Sequence, residues 1–356
     1  MKFFKRILFY IFKPLNPIDV YKNTSVYSFT IYDRLIKLFR GDLKQLFLIS
    51  KHLILFFLSF IYLIPSFIFF FLKYKFIYVN FWQIGAPPQE VGTLVKYLKL
   101  SGVQEKKIIF LNPALISVTA EINVLFRKNI IVVENFFLYL ILLPFLMIKH
   151  ITIKPYLADS SHELTKYNLV NKVYEKNFKN NEIFEILDQE KNKVKKVIKN
   201  INLKNYVVIN IRQNRNYFSN RNVGKIQNYK KTINFLLKKK FHIIRFMSTD
   251  DEIIQIKHKN FNQINTENIN LYNQFLTYKF AKFAIVTQSG PAGYASILNT
   301  PFVLTNSIDR LTNLTPKQKD IIIYKNILKH KKKNEVLFRD NTPNEILNAI
   351  KKLMKY

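Results

Sequence analysis

The stretch that decides the predicted fold reads TQSGPAGYASILNTPFVLTN and covers residues 287–306. The apolar run just before it, residues 283–286, is typical of a buried parallel strand. A short helix is predicted over residues 292–298, and the next strand begins at residues 301–304. The segment therefore predicts a strand–helix–strand unit whose helix begins beside the carboxyl end of a strand.

The start of that helix is a candidate anion site. Ser289 is a suitable N-cap, Gly290 a flexible turn residue, and Pro291 fits the first helical position. Backbone N–H groups and the helix dipole at such an N-terminus favour an anion, typically a phosphate. The alternative is an ordinary turn that binds nothing, and the segment is compatible with both.

Composition narrows the functional classes. A chain of 356 residues has room for two α/β domains. It contains no cysteine, which excludes disulfides, thiolate zinc sites and cysteine nucleophiles and fits a reducing cytoplasmic compartment. The net charge of +33 would ordinarily suggest an anionic partner, but the chain is also rich in Asn, Ile, Phe and Tyr, a bias that an AT-rich coding sequence produces without any function. Because the lysines are spread over the predicted helices rather than gathered in one stripe, an anionic membrane surface is favoured over nucleic acid.

The N-terminal region, residues 1–75, is basic and contains the uncharged apolar segment 53–72. Its twenty residues would extend roughly 30 Å as a helix, enough to cross a bilayer core. Lys51 and Lys73 flank the segment, and Pro65 lies near its middle. A single span, a kinked re-entrant segment and a buried soluble helix are the three alternatives, and membrane association is the prediction.

After residue 76, apolar runs alternate with amphipathic ones, which predicts two Rossmann-like α/β domains, residues 76–200 and 201–356. The first is expected to have strands at 76–82, 107–111 and 130–133, a helix at 90–100 and a helical connection at about 154–202. Its apolar block at 136–148 is too short to span a membrane and either packs on the sheet or dips into the interface. The second is expected to have strands at 206–211 and 241–246, helices at 225–239, 249–258 and 271–280, and a mostly helical tail at 315–356.

Basic side chains are predicted to converge on one edge of the second sheet. Arg212 follows the first strand of that domain, and Arg245 lies near the end of another. Ligands of doubly wound sheets bind outside the carboxyl ends of the strands, and guanidinium groups suit a diphosphate. Taken singly, each is equally compatible with a surface arginine. The candidate donor-binding residues are Arg212, Arg215, Arg221, Asn222, Arg245, Ser289 and Gly290.

Several residues occur in an order that matches a known family. They are Gln83-Ile84-Gly85 with Glu90, then Arg212, Arg221-Asn222, Tyr229, Ile244-Arg245, Ser289-Gly290, Pro301 and Asn306. The chain resembles a group of bacterial glycosyltransferases of surface-polysaccharide synthesis, for which a GT-B fold is expected. The helix start also has a weaker likeness to the nucleotide-sugar site of heptosyltransferase-like enzymes. The resemblance covers roughly residues 76–310.

The chain departs from the family pattern at three places. Gln213 stands where an acidic residue is expected, and Met247 where a glycine is expected. Gly85 is followed by Ala86 rather than by a histidine. These departures favour the alternative of a catalytically degenerate scaffold in polysaccharide assembly.

The resemblance implies a division of roles between two domains that face a cleft. The second domain would bind a nucleotide-sugar donor and the first a lipid-linked or glycan acceptor. Basic side chains and a helix N-terminus would stabilise the leaving diphosphate, so neither a metal nor another cofactor is expected. No Asp-x-Asp motif is present, and Asp250-Asp251 is predicted to cap a helix. The candidates for a general base are Glu90, Asp159 and His162, with Glu90 favoured.

The sequence therefore predicts a membrane-associated glycosyltransferase on the cytoplasmic face of the inner membrane. A nucleotide-sugar epimerase of the same fold is an alternative, but a soluble substrate needs no apolar anchor. A membrane-anchored nucleic-acid binder is a further alternative, and steep salt dependence of polynucleotide binding would identify it. No nucleic-acid partner is expected.

Overall fold

The computed structural model divides into two compact units, Met1–Val170 and Asn171–Tyr356. The described residues are 60–77, 86–101, 107–117, 119–148, 151–153, 188–198, 205–213, 223–287, 289–307, 319–328 and 337–355, with the single residues 39, 41, 50, 54, 57, 58, 174, 184 and 186.

Unit 1 contains a four-stranded parallel sheet in the order β3-β2-β1-β4. Its strands are β1 (Lys75–Ile77), β2 (Ile108–Leu111), β3 (Ile131–Val133) and β4 (Thr152–Ile153). Its helices are α1 (Leu63–Phe71), α2 (Ala86–Ser101), α3 (Asn123–Phe126) and α4 (Phe136–Leu142), with 3₁₀ turns at Ala120–Ile122 and Leu143–Met147. The expected strands near 107–111 and 130–133 and the helix over 90–100 are confirmed. The predicted strand at 76–82 is confirmed up to residue 77, and its remainder lies outside the described residues.

Aromatic packing joins α1 to the sheet of unit 1. The ring of Phe69 lies 5.1 Å from that of Phe76 in β1 and 4.9 Å from that of Phe145. Phe76 and Phe145 stack at 5.2 Å, so this part of the apolar block 136–148 packs on the sheet. Other apolar residues of α1 face outward, with Ile64 79% and Phe71 76% exposed. Among the described helices, none has the length and apolar character that crossing a membrane requires.

Unit 2 contains a six-stranded parallel sheet in the order β10-β9-β8-β5-β6-β7. Its strands are β5 (Tyr206–Asn210), β6 (His242–Met247), β7 (Phe261–Asn265), β8 (Phe283–Thr287), β9 (Phe302–Ser307) and β10 (Ile321–Tyr324), and an antiparallel pair is formed by β11 (Asn326–Leu328) and β12 (Leu337–Arg339). Its helices are α5 (Lys191–Val197), α6 (Lys230–Lys238), α7 (Leu271–Lys279), α8 (Gly290–Ile297) and α9 (Pro343–Leu353), with 3₁₀ turns at Asp188–Glu190, Ile226–Tyr229 and Thr266–Asn268. Numbered from β5, the sheet has the Rossmann order 3-2-1-4-5-6.

The four central strands of this sheet are buried on both faces, as continuous apolar runs predict for a parallel sheet. On one face the core includes Ile233 of α6 and Ile350 of α9. On the other face Phe275 of α7 lies 5.4 Å from Tyr294 of α8, measured between ring centroids. Helices on both faces give unit 2 its doubly wound α/β architecture.

The predicted helix over residues 249–258 is wrong, and the strand β7 that follows was not predicted. The side-chain amide of Gln263 in β7 bonds both backbone groups of Ile254, with 3.0 Å to the N and 3.0 Å to the O. Because the N–H and the carbonyl of Ile254 bond to this side chain, they do not form the hydrogen bonds of a helix. Asp251 accepts from the backbone N of Ser248 at 2.7 Å, so it closes a turn rather than capping a helix.

The prediction of a mostly helical tail over residues 315–356 is also wrong in its first part. Residues 321–323 are three consecutive isoleucines, whose branched side chains favour a strand, and they pair with β9 as β10. The tail becomes helical only at α9, which starts with a capping box between Thr342 and Glu345. The basic run at 329–333 lies outside the described residues.

Helix α5 belongs to unit 2 and packs beside α7. The hydroxyl of Tyr272 in α7 donates to Glu190 at 3.2 Å, and the Lys193 ammonium lies 5.0 Å from the Tyr272 ring centroid. Only part of the expected helical connection at 154–202 lies within the described residues.

Candidate functional site

The strand order of the unit 2 sheet reverses between β5 and β8. These strands are neighbours, yet β6 follows β5 on one side and β9 follows β8 on the other. In doubly wound sheets a ligand binds at this point, outside the carboxyl ends of the strands, because the two connections leave in opposite directions. The loops after β5 and β8 therefore define the candidate site.

A hydrogen bond joins these two loops. The backbone N–H of Arg212, two residues after β5, donates to Oγ1 of Thr287, the last residue of β8, at 3.0 Å. Thr287 is fully buried and Arg212 half-buried. Because Ser289 follows Thr287 by two residues, the structure brings Arg212 close to the start of α8, as the sequence predicted.

Helix α8 begins at Gly290, two residues before the predicted start. Ser289 is the N-cap by position, but its Oγ donates to the carbonyl of Thr287 at 3.1 Å and does not cap the first turn. In α7, by contrast, Asn270 caps the helix by accepting from the N–H of Asn273 at 2.7 Å. The first turn of α8 thus has no side-chain cap, an arrangement in which its amides suit an external anion.

The loop after β5 returns toward the sheet at Gly224. The backbone N–H of Gly224 donates to the carbonyl of Arg212 at 3.0 Å. A Cβ on Gly224 would lie 2.5 Å from Nδ2 of Asn306, and 3.1 Å from both the Ile211 side chain and the Tyr229 hydroxyl. Only glycine fits this close approach.

Asn306, at the end of β9, is the centre of a buried polar network. Its backbone N donates to Oδ1 of Asn341 at 2.5 Å, and its Oδ1 accepts from the N of Asn341 at 2.7 Å. Its Nδ2 donates to the Tyr229 hydroxyl at 3.1 Å, which lies 2.6 Å from Oγ1 of Thr305. Burial raises the pKa of Tyr229, so the hydroxyl stays neutral. The positive φ of Asn306, 53°, suits an asparagine. The network fixes the surface on which Gly224 packs.

Arg245 lies in β6 with two strand residues after it, one more than in the predicted strand 241–246. It is 1% exposed. Its Nη2 donates to Oε1 of Gln213 at 2.9 Å and to the carbonyl of Glu252 at 2.6 Å, and its Nη1 donates to Oε1 of Gln263. Its Nε is buried with no partner among the described residues. Burial lowers the pKa of the guanidinium, and the charges of Asp251 and Glu252 oppose this.

Solved structures of glycosyltransferases share this fold. The chain is similar to ADP-heptose LPS heptosyltransferase II of E. coli, with a TM-score of 0.51, 13% identity, and coverage of 79% of this chain and 99% of that one. It is also similar to the family 9 glycosyl transferase of Veillonella parvula, with a TM-score of 0.51, 9% identity, and coverage of 79% and 97%. The chain therefore shares the fold of these two structures. No family model and no curated protein matches the sequence.

In this fold the remaining candidate residues are only partly described. Arg215, Arg221 and Asn222 lie outside the described residues, as do Asp159 and His162. Glu90 is buried in the second turn of α2, because the helix begins at Ala86 rather than at Glu90 itself. Within the described ranges no three His, Cys, Asp or Glu side chains form a possible metal cluster.

The residues that sequence reasoning missed are mainly long-range partners. Asn341 is hydrogen-bonded to Asn306, 35 residues earlier in the sequence, and Thr287 is hydrogen-bonded to Arg212, 75 residues earlier. In unit 1, Asn112 follows β2 and is fully buried, with its Nδ2 donating to Oγ1 of Thr119 at 3.3 Å. Its Oδ1 is buried without a partner among the described residues. The only sequence signal for Asn112 is its place directly after an apolar strand.

Proposed function

We propose that the protein is a glycosyltransferase whose nucleotide-sugar donor binds at the carboxyl edge of the unit 2 sheet, between β5 and β8. The observation that carries this proposal is the hydrogen bond from the backbone N–H of Arg212 to Thr287, which joins the loop after β5 to the end of β8, two residues before Ser289. It brings a guanidinium-bearing residue and an uncapped helix N-terminus to the point where such sheets bind ligands. The fold shared with heptosyltransferase II supports the same reaction class.

The donor diphosphate is the part of the ligand that this site suits best. The backbone N–H of Gly290 would donate to one phosphate, and the Arg212 side chain would pair with the other. The loop at 213–225 adds Arg215 and Arg221, and Asn222 beside them, as further candidate donors of hydrogen bonds. These cations and dipoles would neutralise the leaving diphosphate without a metal ion.

Unit 1 would bind the acceptor, in the two-domain arrangement of a GT-B enzyme. Glu90 is the proposed general base that deprotonates the acceptor hydroxyl. The exposed apolar residues of α1, with Ile64 and Phe71 the most exposed of them, would enter the membrane interface. Lys73 and Lys75, just after the helix, would meet anionic headgroups on the cytoplasmic face of the inner membrane. The acceptor would then be a lipid-linked or surface-polysaccharide sugar.

Donor binding and turnover by the full-length protein test this proposal. We expect saturable binding of a nucleoside diphosphate or its sugar, and an Arg212→Ala loss of about tenfold to hundredfold in affinity. Arg339→Ala is the matched control, because Arg339 is exposed in the same unit and pairs with Glu345. Equal affinity in both variants would contradict the site.

Product analysis separates the reaction classes. Transfer of the sugar to a lipid extract supports the glycosyltransferase. Conversion of the nucleotide sugar to its epimer without an acceptor would instead identify the epimerase of the same fold.

A further inference from the structure

Arg245 is a buried cation whose hydrogen-bond acceptors are all uncharged. Two are side-chain amides, from Gln213 and Gln263, and the third is the backbone carbonyl of Glu252. The nearby carboxylates are directed elsewhere. Asp251 accepts from the backbone of Ser248, and the Glu252 carboxylate accepts from Gln227.

A buried charge in this situation is expensive to maintain. Taking a guanidinium out of water is unfavourable unless an opposite charge or a full set of hydrogen bonds compensates it. Here the Nε has no partner in the described part of the chain, and no carboxylate there bonds to the group. Burial lowers the pKa of the guanidinium, and the charges of Asp251 and Glu252 offset this only in part. The positive charge of the Arg245 guanidinium is therefore only partly compensated by its surroundings.

This charge lies beside the candidate donor site. Arg245 is paired in register with Ile209 of β5, the strand that leads to Arg212. Gln213, which accepts from Arg245, directly follows Arg212 in the same loop. An anion at the switch point between β5 and β8 would thus lie one strand away from this partly compensated charge.

We propose that Gln213 determines the affinity of the donor site. Its neutral amide ties the loop after β5 to Arg245 without cancelling the charge, so the diphosphate of the bound nucleotide provides the remaining counter-charge. The proposal rests on the proposed donor site. A carboxylate at position 213 would accept the same hydrogen bond but would neutralise the guanidinium. The loop would keep its position, and the ligand would lose the electrostatic attraction.

Gln213→Glu in the full-length protein tests this inference, with ADP, UDP and GDP as probes in calorimetric titrations. We expect the variant to bind the preferred diphosphate about tenfold to hundredfold more weakly than the parent. Its thermal midpoint should be unchanged or higher, because the new carboxylate pairs with Arg245. Gln255→Glu is the matched control, since Gln255 is exposed in the same unit and adds the same charge. It should change the affinity less than about twofold.

A neutral variant separates charge from anchoring. Gln213→Met keeps the charge of Arg245 and removes only one acceptor, so its affinity should stay well above that of Gln213→Glu. Parent-like diphosphate affinity in Gln213→Glu, equal losses in the Met and Glu variants, or loss of cooperative unfolding in the Glu variant would each overturn the inference. Absence of diphosphate binding by the parent would overturn the proposed function itself, and this inference with it.

Discussion

Replacing Gly224 by alanine should destabilise unit 2 through a single clash. The new Cβ would lie 2.5 Å from Nδ2 of Asn306, closer than real contacts allow. Asn306 has little room to retreat, because its backbone N and its Oδ1 are both bonded to Asn341. The clash is therefore expected to strain the loop or to break the bond from Asn306 to Tyr229.

The magnitude follows from these two terms. Inserting a methyl group into a packed site costs roughly 1–3 kcal/mol, and losing one buried hydrogen bond costs roughly 0.5–1.5 kcal/mol. Where both effects occur, the free energy of unfolding should fall by about 1.5–4.5 kcal/mol. Urea denaturation followed by circular dichroism measures the change.

A double-mutant cycle identifies the cause. Asn306→Gly removes the clashing side chain and tolerates the positive φ at that position. In this background Gly224→Ala should be milder by about 1–2 kcal/mol, because the two sites are directly coupled. An unfolding free energy of Gly224→Ala within about 0.5 kcal/mol of the parent, or strict additivity in the cycle, would refute the reasoning.

Three further predictions address the site, the tail and the membrane. Gly290→Val should abolish donor binding by filling the space beside the backbone N–H of residue 290. Ser289→Ala should change donor binding little, because the Oγ of Ser289 does not cap α8. Titration with the preferred diphosphate tests both variants. The hydrogen bond from the backbone N–H of Thr342 lowers the pKa of Glu345. The ionised Glu345 side chain therefore stabilises the fold fully above its unfolded pKa of about 4.3, and this stabilisation is lost as the pH falls through its folded pKa. Urea denaturation at pH 6 and at pH 3 should therefore show that the free energy of unfolding falls more for the parent than for Glu345→Gln. Ile64→Ser should reduce the fraction of protein that floats with anionic vesicles. Ile253→Ser is the control, because Ile253 is exposed in unit 2, and it should leave that fraction unchanged.

The central strands of unit 2 could be predicted because a strand that is buried on both faces reads as a continuous apolar run in the sequence. β8 reads FAIVT and all five of its residues are buried. β7 reads FNQIN, with only its first residue buried, and this pattern does not distinguish a strand from a loop. The stability of β7 comes partly from the bonds of Gln263 to Ile254, which a local pattern does not contain.

The same distinction applies to the candidate site. Arg212 and the start of α8 were found because both follow apolar strands, and parallel strands end at a common edge. The role of Arg245 was harder to predict, because its burial depends on Gln213 and Gln263, which are 32 and 18 residues away. Gly224 carries no signal by itself, since the reason for a glycine in this loop is the nearby side chain of Asn306 in β9.

The most direct test of the donor site is an experimental structure of the protein with the nucleoside diphosphate that it binds best. The account predicts phosphate oxygens about 3 Å from the backbone N of Gly290 and from the guanidinium of Arg212. A diphosphate bound elsewhere on the sheet, away from the carboxyl ends of β5 and β8, would contradict it.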